Sequence, residues 1–144
     1  MIKIEYPDYQ FNTKNEQGIE FIFDAFRKKW LTLTPEEWVR QNILQYITQV
    51  KRYPSSLIAI EKEFFLGELK KRCDIVVYNR NAEPWMIIEC KEMNIPLSNK
   101  VLEQLLRYHI VIPAKYLVIT NGKYCFGFEK IEGSFYSIDA LPEF

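Results

Sequence analysis

A length of 144 residues predicts a single domain, residues 1–144, and a hydrophobic content of 48 % is enough to build its core. Nineteen basic and nineteen acidic residues cancel, so the net charge gives no indication of a nucleic-acid partner, which has to be argued from a local site. No apolar run approaches the ~20 residues of a membrane span, and residues 1–10 lack the features of a signal peptide. Three cysteines without a C-x-x-C pair predict free buried thiols, so we expect a cytoplasmic protein without a membrane partner.

The first thirty residues are polar and aromatic and carry weak signals. Residues 3–6 ("KIEY") predict a short strand. Residues 18–30 ("GIEFIFDAFRKKW") fit either a strand or a short helix. Three closely spaced phenylalanines in this second segment also fit a homodimer contact.

Residues 34–53 ("TPEEWVRQNILQYITQVKRY") predict the clearest helix of the chain, because apolar residues recur at helical spacing. Thr34 is an N-cap candidate, and Pro35 fits the first helical position. Glu37 completes a capping box with Thr34. Pro54 follows the segment and predicts its end.

The remaining chain alternates strands with one further helix. Three strand segments with short connections predict an antiparallel meander: "SLIAIEKEFF", "CDIVVYN" and "PWMIIECK". The helix "LSNKVLEQLLRYHIVI" is long enough to be a crossover, so the next strand, "AKYLVITNG", should run parallel to the third. "KYCFGFEK" follows a tight Asn-Gly turn, and "SFYSIDALPEF" can add an edge strand. We therefore predict an α/β fold, a central mixed β-sheet flanked by helices with core order αβββαβ.

Two acids and a lysine lie close together at the end of two otherwise apolar strands. Asp74 begins the second strand of the meander, and Glu89 and Lys91 end the third. Because side chains alternate along a strand, Glu89 and Lys91 share a face while Cys90 points away. The antiparallel connection places Asp74 opposite the end of the third strand, so the three charged groups should meet at one end of the sheet.

Two carboxylates at such a place can hold Mg²⁺, which prefers oxygen ligands. The backbone carbonyl of Cys90 can add a third oxygen. A metal held by Asp74 and Glu89 lowers the pKa of a bound water and stabilises charge on a phosphate oxygen. Lys91 can then orient or deprotonate that water, or neutralise the transition state. The alternative is an ordinary solvated ion pair at a sheet edge.

At these residues the chain resembles the PD-(D/E)xK nuclease superfamily, with Asp74 and the run Glu89-Cys90-Lys91 as the matching motif. It is more closely similar to the N-terminal nuclease domain of type I restriction enzyme R (HsdR) subunits. Five segments carry this likeness in the same order: "TPEEWVRQ", "KRCDIVVYN", "PWMIIECK", "LEQLLRYH" and "YLVITNG". The resemblance implies a restriction-endonuclease-like fold with its core at about residues 34–129.

The resemblance also implies a reaction, which is Mg²⁺-dependent hydrolysis of DNA phosphodiester bonds, with Mn²⁺ as a substitute ion. Asp74 and Glu89 would be metal ligands and Lys91 the catalytic lysine. Glu37 becomes a candidate for the additional acid that many members carry on the first helix. A capping-box glutamate needs no metal, so both interpretations of Glu37 stay open.

The segment "QLLRY" matches the Q-x-x-x-Y motif of RecB-like members, which makes Gln104 and Tyr108 candidate site residues. Their i,i+4 spacing places both on one helix face. The amide can contact DNA or a metal-bound water and the phenol a phosphate; alternatively, Tyr108 packs and Gln104 is merely exposed. Residues 70–72 form the best local basic patch of the chain.

Four other residues receive weaker interpretations from the sequence. Glu36 is expected to be solvated, and Glu61 is expected to lie in an exposed segment because charged residues follow it. Arg40 is one of several arginines that can meet phosphates. His109 is a lone histidine beside apolar residues, which is typical of a core or surface residue rather than a ligand.

The chain departs from a whole type I R subunit in size. It has no G-x-x-x-x-G-K-[ST] phosphate loop, so we expect the ATP-driven motor to be absent from it and restriction or motor subunits to be encoded separately. The alternative function is a catalytically inactive module of the same fold that binds nucleic acid or protein. No feature of the sequence separates DNA from RNA as the substrate.

Overall fold

A six-stranded mixed sheet forms the centre of the protein in a computed structural model that describes residues 1–144. The strands are β1 (Thr13–Glu16), β2 (Ile19–Asp24), β3 (Lys29–Thr32), β4 (Ile58–Leu66), β5 (Leu69–Tyr78), β6 (Pro84–Cys90), β7 (Tyr116–Thr120), β8 (Cys125–Ile131) and β9 (Ser134–Ile138). The α-helices are α1 (Pro35–Gln45) and α2 (Asn99–His109). The large sheet has the order β4-β5-β6-β7-β8-β9, and β1-β2-β3 form a separate antiparallel sheet.

The topology of the large sheet confirms the predicted α/β class. β4, β5 and β6 form an antiparallel meander, whose first hairpin turns at Gly67 with φ +65°. β6 and β7 are parallel, as a crossover through α2 requires. β8 and the edge strand β9 add antiparallel neighbours.

Each face of the large sheet carries its own core. The larger cluster packs α1 residues such as Ile43 and Leu44 against Ile75 and Ile88 of the central strands. The smaller cluster packs Leu102 of α2, together with other apolar residues, against the opposite face. This two-sided burial explains why β6 is a nearly continuous apolar run up to its last two residues.

The first helix begins as predicted but ends earlier. Thr34 caps α1, because its hydroxyl accepts a 3.1 Å hydrogen bond from the Glu37 amide. Only half of the predicted capping box forms, since the Thr34 amide bonds instead to the carbonyl of Thr32. The prediction of one helix through residue 53 is wrong. A π-helical turn follows at Tyr46–Val50, and Arg52 adopts φ +61°, which directs Tyr53 into the core.

The N-terminal segment differs from its prediction at residues 3–6, which form no strand. Ile2 is buried and its amide bonds to the Cys125 carbonyl, so the segment is held by the rim of the large sheet without pairing along it. The ambiguous residues 18–30 form the hairpin β2-β3. No helix of the protein is both long enough and apolar enough to cross a membrane.

Candidate active site

The register of β5 and β6 brings two acids together where β6 ends. β5 begins at Leu69, so the prediction that Asp74 begins this strand is wrong, and Asp74 is the sixth of its ten residues. Ile75 pairs with Ile88, so the next position along the register sets Asp74 beside Glu89, as the sequence pattern predicts. The backbone amide of Cys90 donates a 2.8 Å hydrogen bond to Asp74 Oδ2, which fixes the carboxylate against the end of β6. Only 17 % of the Asp74 side chain and 11 % of the Glu89 side chain are exposed.

Both acids are held in surroundings that oppose their negative charge. Burial, followed by the charge of Glu89, raises the pKa of Asp74 to about 6. Burial also raises the pKa of Glu89 above its ordinary value, although its hydrogen bonding with Asp74 acts in the opposite direction. Two carboxylates this close repel each other, and a bound cation would relieve that repulsion. The donor set is two hard oxygen ligands, which suits Mg²⁺.

Lys91 follows the pair on the first residue after β6. Its amide donates a 2.8 Å hydrogen bond to the Thr120 carbonyl, which continues the β6-β7 ladder and holds the residue at the site. The side chain is partly buried, and its positive charge acts to lower the pKa of Glu89. The structure therefore brings Lys91 together with Asp74 and Glu89.

Helix α2 contributes the predicted glutamine and tyrosine to a groove beside Lys91. The groove has a volume of about 320 Å³, and Lys91, Gln104 and Tyr108 line it. Tyr108 is half-exposed: its hydroxyl accepts a 3.2 Å hydrogen bond from the Arg72 amide, and the Lys71 ammonium lies 3.9 Å from its ring centroid. The groove thus extends from Lys91, beside the acid pair, to Tyr108, which contacts Lys71 and Arg72 of the basic run 70–72.

Glu37 does not join this group. Its carboxylate contacts the guanidinium groups of Arg27 and Arg40, and Arg40 stands between it and Asp74. The neighbouring residue Glu36 is the acid of α1 that faces the pair. Burial and the charge of Asp74 raise the pKa of Glu36, and the charge of Glu36 acts in turn to raise the pKa of Glu89. The Glu36 side chain is 46 % exposed, so it is partly solvated as expected, and its charge also acts on the acid pair.

Arg40 is the centre of a network of ion pairs behind the acid pair. Its guanidinium lies 3.1 Å from Glu37 Oε1, 3.1 Å from Glu61 Oε1 and 3.2 Å from Asp74 Oδ1. Glu61 has φ +54° within β4, and it also contacts Arg27 and Arg72, so it is not the simple exposed residue that the sequence predicts. Glu36 Oε1 lies farther from the Arg40 guanidinium, at 3.8 Å. Four acids thus share one buried cation, whose acidic partners raise its own pKa against the effect of burial.

The Glu89 side chain also contacts His109, which in turn contacts Cys73. His109 Nε2 is 3.1 Å from Glu89 Oε1, but the two atoms lack hydrogen-bond geometry, and neither has another partner. Burial lowers the pKa of His109 to about 4, so the imidazole is neutral at pH 7 and the contact is not an ion pair. The Cys73 thiol lies 3.8 Å from His109 Nδ1, and burial raises its pKa to about 12.

The sequence does not predict the contacts that Arg40 and His109 make with the acid pair. Of these two residues, only Arg40 has a sequence pattern that could have indicated its contacts. Arg40 lies four residues after Glu36 and three after Glu37 on α1, and that spacing of charges could have indicated an ion-pair cluster. His109 carries no comparable signal, because its approach to Glu89 depends on how α2 packs against the sheet. Cys90 keeps its place beside the pair, with its amide bound to Asp74 and its side chain in the larger core.

The fold and this site define an α/β domain with a nuclease-like core, in which an acid pair and a lysine lie at the end of the central strand β6 of a mixed sheet. The sequence model of the family described as "Type I restriction enzyme R protein N terminus" matches residues 35–142. The chain therefore belongs to this family, as its resemblance implies, and it is a restriction-enzyme N-terminal domain. A comparison with curated protein sequences gives no match.

Proposed function

We propose that the chain is a Mg²⁺-dependent endonuclease domain that hydrolyses DNA phosphodiester bonds. The observation that carries the proposal is the pair of buried carboxyl groups, Asp74 and Glu89, whose pKa values are both raised and which lie beside Lys91. Carboxyl groups with perturbed pKa values are more frequent at functional sites than elsewhere. The family to which the chain belongs supports the same reaction class and a restriction–modification context.

Each residue of the site receives a role from its position. Asp74, Glu89 and the Cys90 carbonyl would hold Mg²⁺, or Mn²⁺ in its place, which when bound lowers the pKa of a coordinated water and neutralises charge on a phosphate oxygen. The Cys90 amide orients the Asp74 carboxylate. Lys91 orients the attacking water or neutralises the charge that develops on the phosphate. Glu36, and not Glu37, is the acid of α1 that supports this site.

The groove beside Lys91 is the part of the site that suits a nucleic-acid backbone. Gln104 and Tyr108 line it, and Lys71 and the amide of Arg72 meet Tyr108 at its rim. Basic groups near a groove supply phosphate contacts even when the whole chain is neutral, because only local charge is close enough to act. We therefore assign DNA to this groove.

The proposal extends to the setting in which the domain acts. Three buried free cysteines suit a reducing compartment, which supports the cytoplasm. Membership of the R-subunit family supports separately encoded restriction or motor subunits as partners. A homodimer would supply the two sites that cutting both strands requires.

One contact favours a second candidate function, a nucleic-acid- or protein-binding module without catalysis. The Arg40 guanidinium lies 3.2 Å from Asp74 Oδ1 and already neutralises part of the charge that would attract a metal. If Arg40 neutralises Asp74 permanently, the domain would keep its fold but would not bind the metal that cleavage requires.

Plasmid cleavage separates the two functions. Purified protein is incubated with supercoiled plasmid and Mg²⁺ or Mn²⁺, in parallel with Asp74→Ala and Lys91→Ala and with Lys29→Ala as a control on the exposed strand β3. Cleavage by the wild type and by Lys29→Ala that both site variants lose supports the endonuclease. Failure of the folded wild type to cleave with either ion, alone or with its partner subunits, contradicts it. Cleavage that persists in both site variants reveals a contaminating nuclease.

A further inference from the structure

A buried group of three metal-ligating side chains lies directly beside the acid pair. Cys73 Sγ, a carboxylate oxygen of Glu89 and a ring nitrogen of His109 lie within 4.8 Å of one another. Cys73 and His109 are 0 % and 1 % exposed. Glu89 Oε1 and His109 Nε2 are buried without a hydrogen-bond partner, although they face each other at 3.1 Å. Buried polar atoms are rarely left unpaired, and an ion between them is one of the few physical reasons for such an arrangement.

The chemistry of the three donors differs from that of the proposed magnesium site. A thiolate, an imidazole and a carboxylate are the ligands that Zn²⁺ takes in proteins, whereas Mg²⁺ selects oxygen and leaves sulfur unbound. We propose that Cys73, Glu89 and His109 form a second metal site, specific for Zn²⁺ or a similar transition ion, which shares Glu89 with the magnesium site. Its effect on cleavage, though not its existence, rests on the proposed function.

The distances between the donors fit this ion. Two ligands at the usual Zn–N and Zn–O lengths and 3.1 Å apart subtend about 100° at the metal, close to a tetrahedral angle. An ion at the centre of a triangle with sides of at most 4.8 Å lies no more than about 2.8 Å from each corner, against ~2.0–2.3 Å in zinc sites. Closure by about 0.5 Å for the sulfur and by at most about 0.8 Å for the nitrogen or oxygen therefore completes the coordination.

Binding requires one local change and one proton transfer. The Cys73 thiol now faces Nδ1 of His109 at 3.8 Å, so coordination through Nε2 needs the thiol to move toward the carboxylate side of the ring. The S–H bond of Cys73 breaks, the sulfur pair binds the metal and the proton leaves to solvent, because the thiolate is the ligand. A fourth tetrahedral position remains for a water molecule.

A shared ligand makes the two sites compete. With Glu89 bound to Zn²⁺, the magnesium site keeps Asp74 as its one side-chain carboxylate from the pair. Zn²⁺ should therefore inhibit Mg²⁺-dependent cleavage at concentrations near that of the protein. This gives the domain a metal-sensitive off state without a change of fold.

Cobalt substitution tests the site directly and without DNA. The chelator-treated full chain is titrated with Co²⁺, because thiolate bound to Co²⁺ absorbs in the near ultraviolet. We expect one equivalent of Co²⁺ to produce this band and one equivalent of Zn²⁺ to abolish it. The band should be lost in Cys73→Ser and retained in Cys125→Ala, the matched buried-cysteine control. In His109→Gln it should form only at metal concentrations at least tenfold higher. Absence of the band in the folded wild type, or its persistence in Cys73→Ser, overturns the proposal.

Cleavage assays then test the competition. Stoichiometric Zn²⁺ should reduce Mg²⁺-dependent cleavage by the wild type at least tenfold. The same inhibition, expressed against each variant's own zinc-free rate, should be at least tenfold weaker in Cys73→Ser. A cobalt band without cleavage under any condition contradicts the proposed nuclease and leaves the transition-metal site in place. Cleavage without a cobalt band contradicts the transition-metal site alone.

Discussion

The backbone amide of Cys90 donates a 2.8 Å hydrogen bond to Oδ2 of Asp74, so the end of one strand orients the acid of its neighbour. The other oxygen, Oδ1, lies 3.2 Å from the guanidinium of Arg40. The Asp74 carboxylate is thus held from two sides before any ligand arrives. A carboxylate that is already oriented loses less conformational entropy when it binds an ion or a substrate.

Arg40→Met should destabilise the protein by about 3–5 kcal/mol, because it leaves Asp74, Glu37 and Glu61 gathered around a missing cation. Urea denaturation at pH 7 measures the free energy of unfolding. Arg107→Met is the matched control, since the Arg107 side chain is 80 % exposed and lies 3.9 Å from Glu103, so its loss should cost less than about 0.5 kcal/mol. Equal effects of the two substitutions would show that the Arg40 network adds no stability.

Glu36→Gln and Glu37→Gln should show which acid of α1 supports metal binding and which one stabilises the fold. Glu36→Gln should weaken Mg²⁺ binding with little change in stability, because its exposed charge faces Asp74 and Glu89. Glu37→Gln should instead reduce the stability by about 2–4 kcal/mol, because its carboxylate faces the guanidinium groups of Arg27 and Arg40. Thermal unfolding with and without Mg²⁺ measures both quantities. A larger loss of Mg²⁺ stabilisation in Glu37→Gln would restore Glu37 as the supporting acid.

The arrangement of the large sheet could be predicted from the sequence because its signals are local. The Gly67 turn, the Thr34 cap and the apolar run before Glu89 each fix one element, and the crossover length fixes the parallel pair. The placement of Asp74 beside Glu89 then follows from register alone. The hairpin β2-β3 could not be assigned, since the apolar and charged residues of 18–30 fit both periods equally.

The missed parts of the site depend on packing between elements. Whether Glu36 or Glu37 faces the sheet depends on the rotation of α1 about its axis, which two adjacent acids do not reveal. His109 reaches Glu89 only because α2 is seated on the face opposite α1. The π-helical turn at Tyr46–Val50 likewise has no marker in the sequence, because the apolar residues keep their helical spacing through Val50.

Asp24→Asn should change how stability depends on pH in the acid range. Burial of Asp24 acts to raise its pKa, but hydrogen bonds from the backbone and side chain of Arg27 outweigh it and hold the pKa below the ordinary value. Its stabilisation is therefore complete above the unfolded-state pKa of about 3.9 and is lost as the pH falls through the lower folded-state pKa. At pH 7 the substitution should cost about 1–3 kcal/mol, because Asp24 is fully buried and accepts hydrogen bonds from Arg27 and Gln41.

Urea denaturation of this variant and the wild type from pH 7 to pH 3 measures that effect. The difference between them should shrink below about pH 4. Asp139→Asn, which alters an exposed aspartate, should run parallel to the wild type throughout. A difference for Asp24→Asn that stays constant down to pH 3 would mean that its charge does not contribute.

Tyr108→Phe and Gln104→Ala should each weaken DNA binding about tenfold, or about 1.4 kcal/mol, if the groove beside Lys91 carries the backbone. Neither substitution removes a charge, so the slope of log affinity against log salt should not change. Lys71→Ala should instead reduce the magnitude of that slope by about 1, because the Lys71 ammonium lies at the rim beside Tyr108. Fluorescence anisotropy of a labelled duplex, with Ca²⁺ replacing Mg²⁺ to prevent cleavage, measures both quantities.

Tyr136→Phe, on the exposed edge strand β9, is the matched control and should bind as the wild type does. Equal affinities for Tyr108→Phe, Gln104→Ala and Tyr136→Phe would place the DNA elsewhere on the protein.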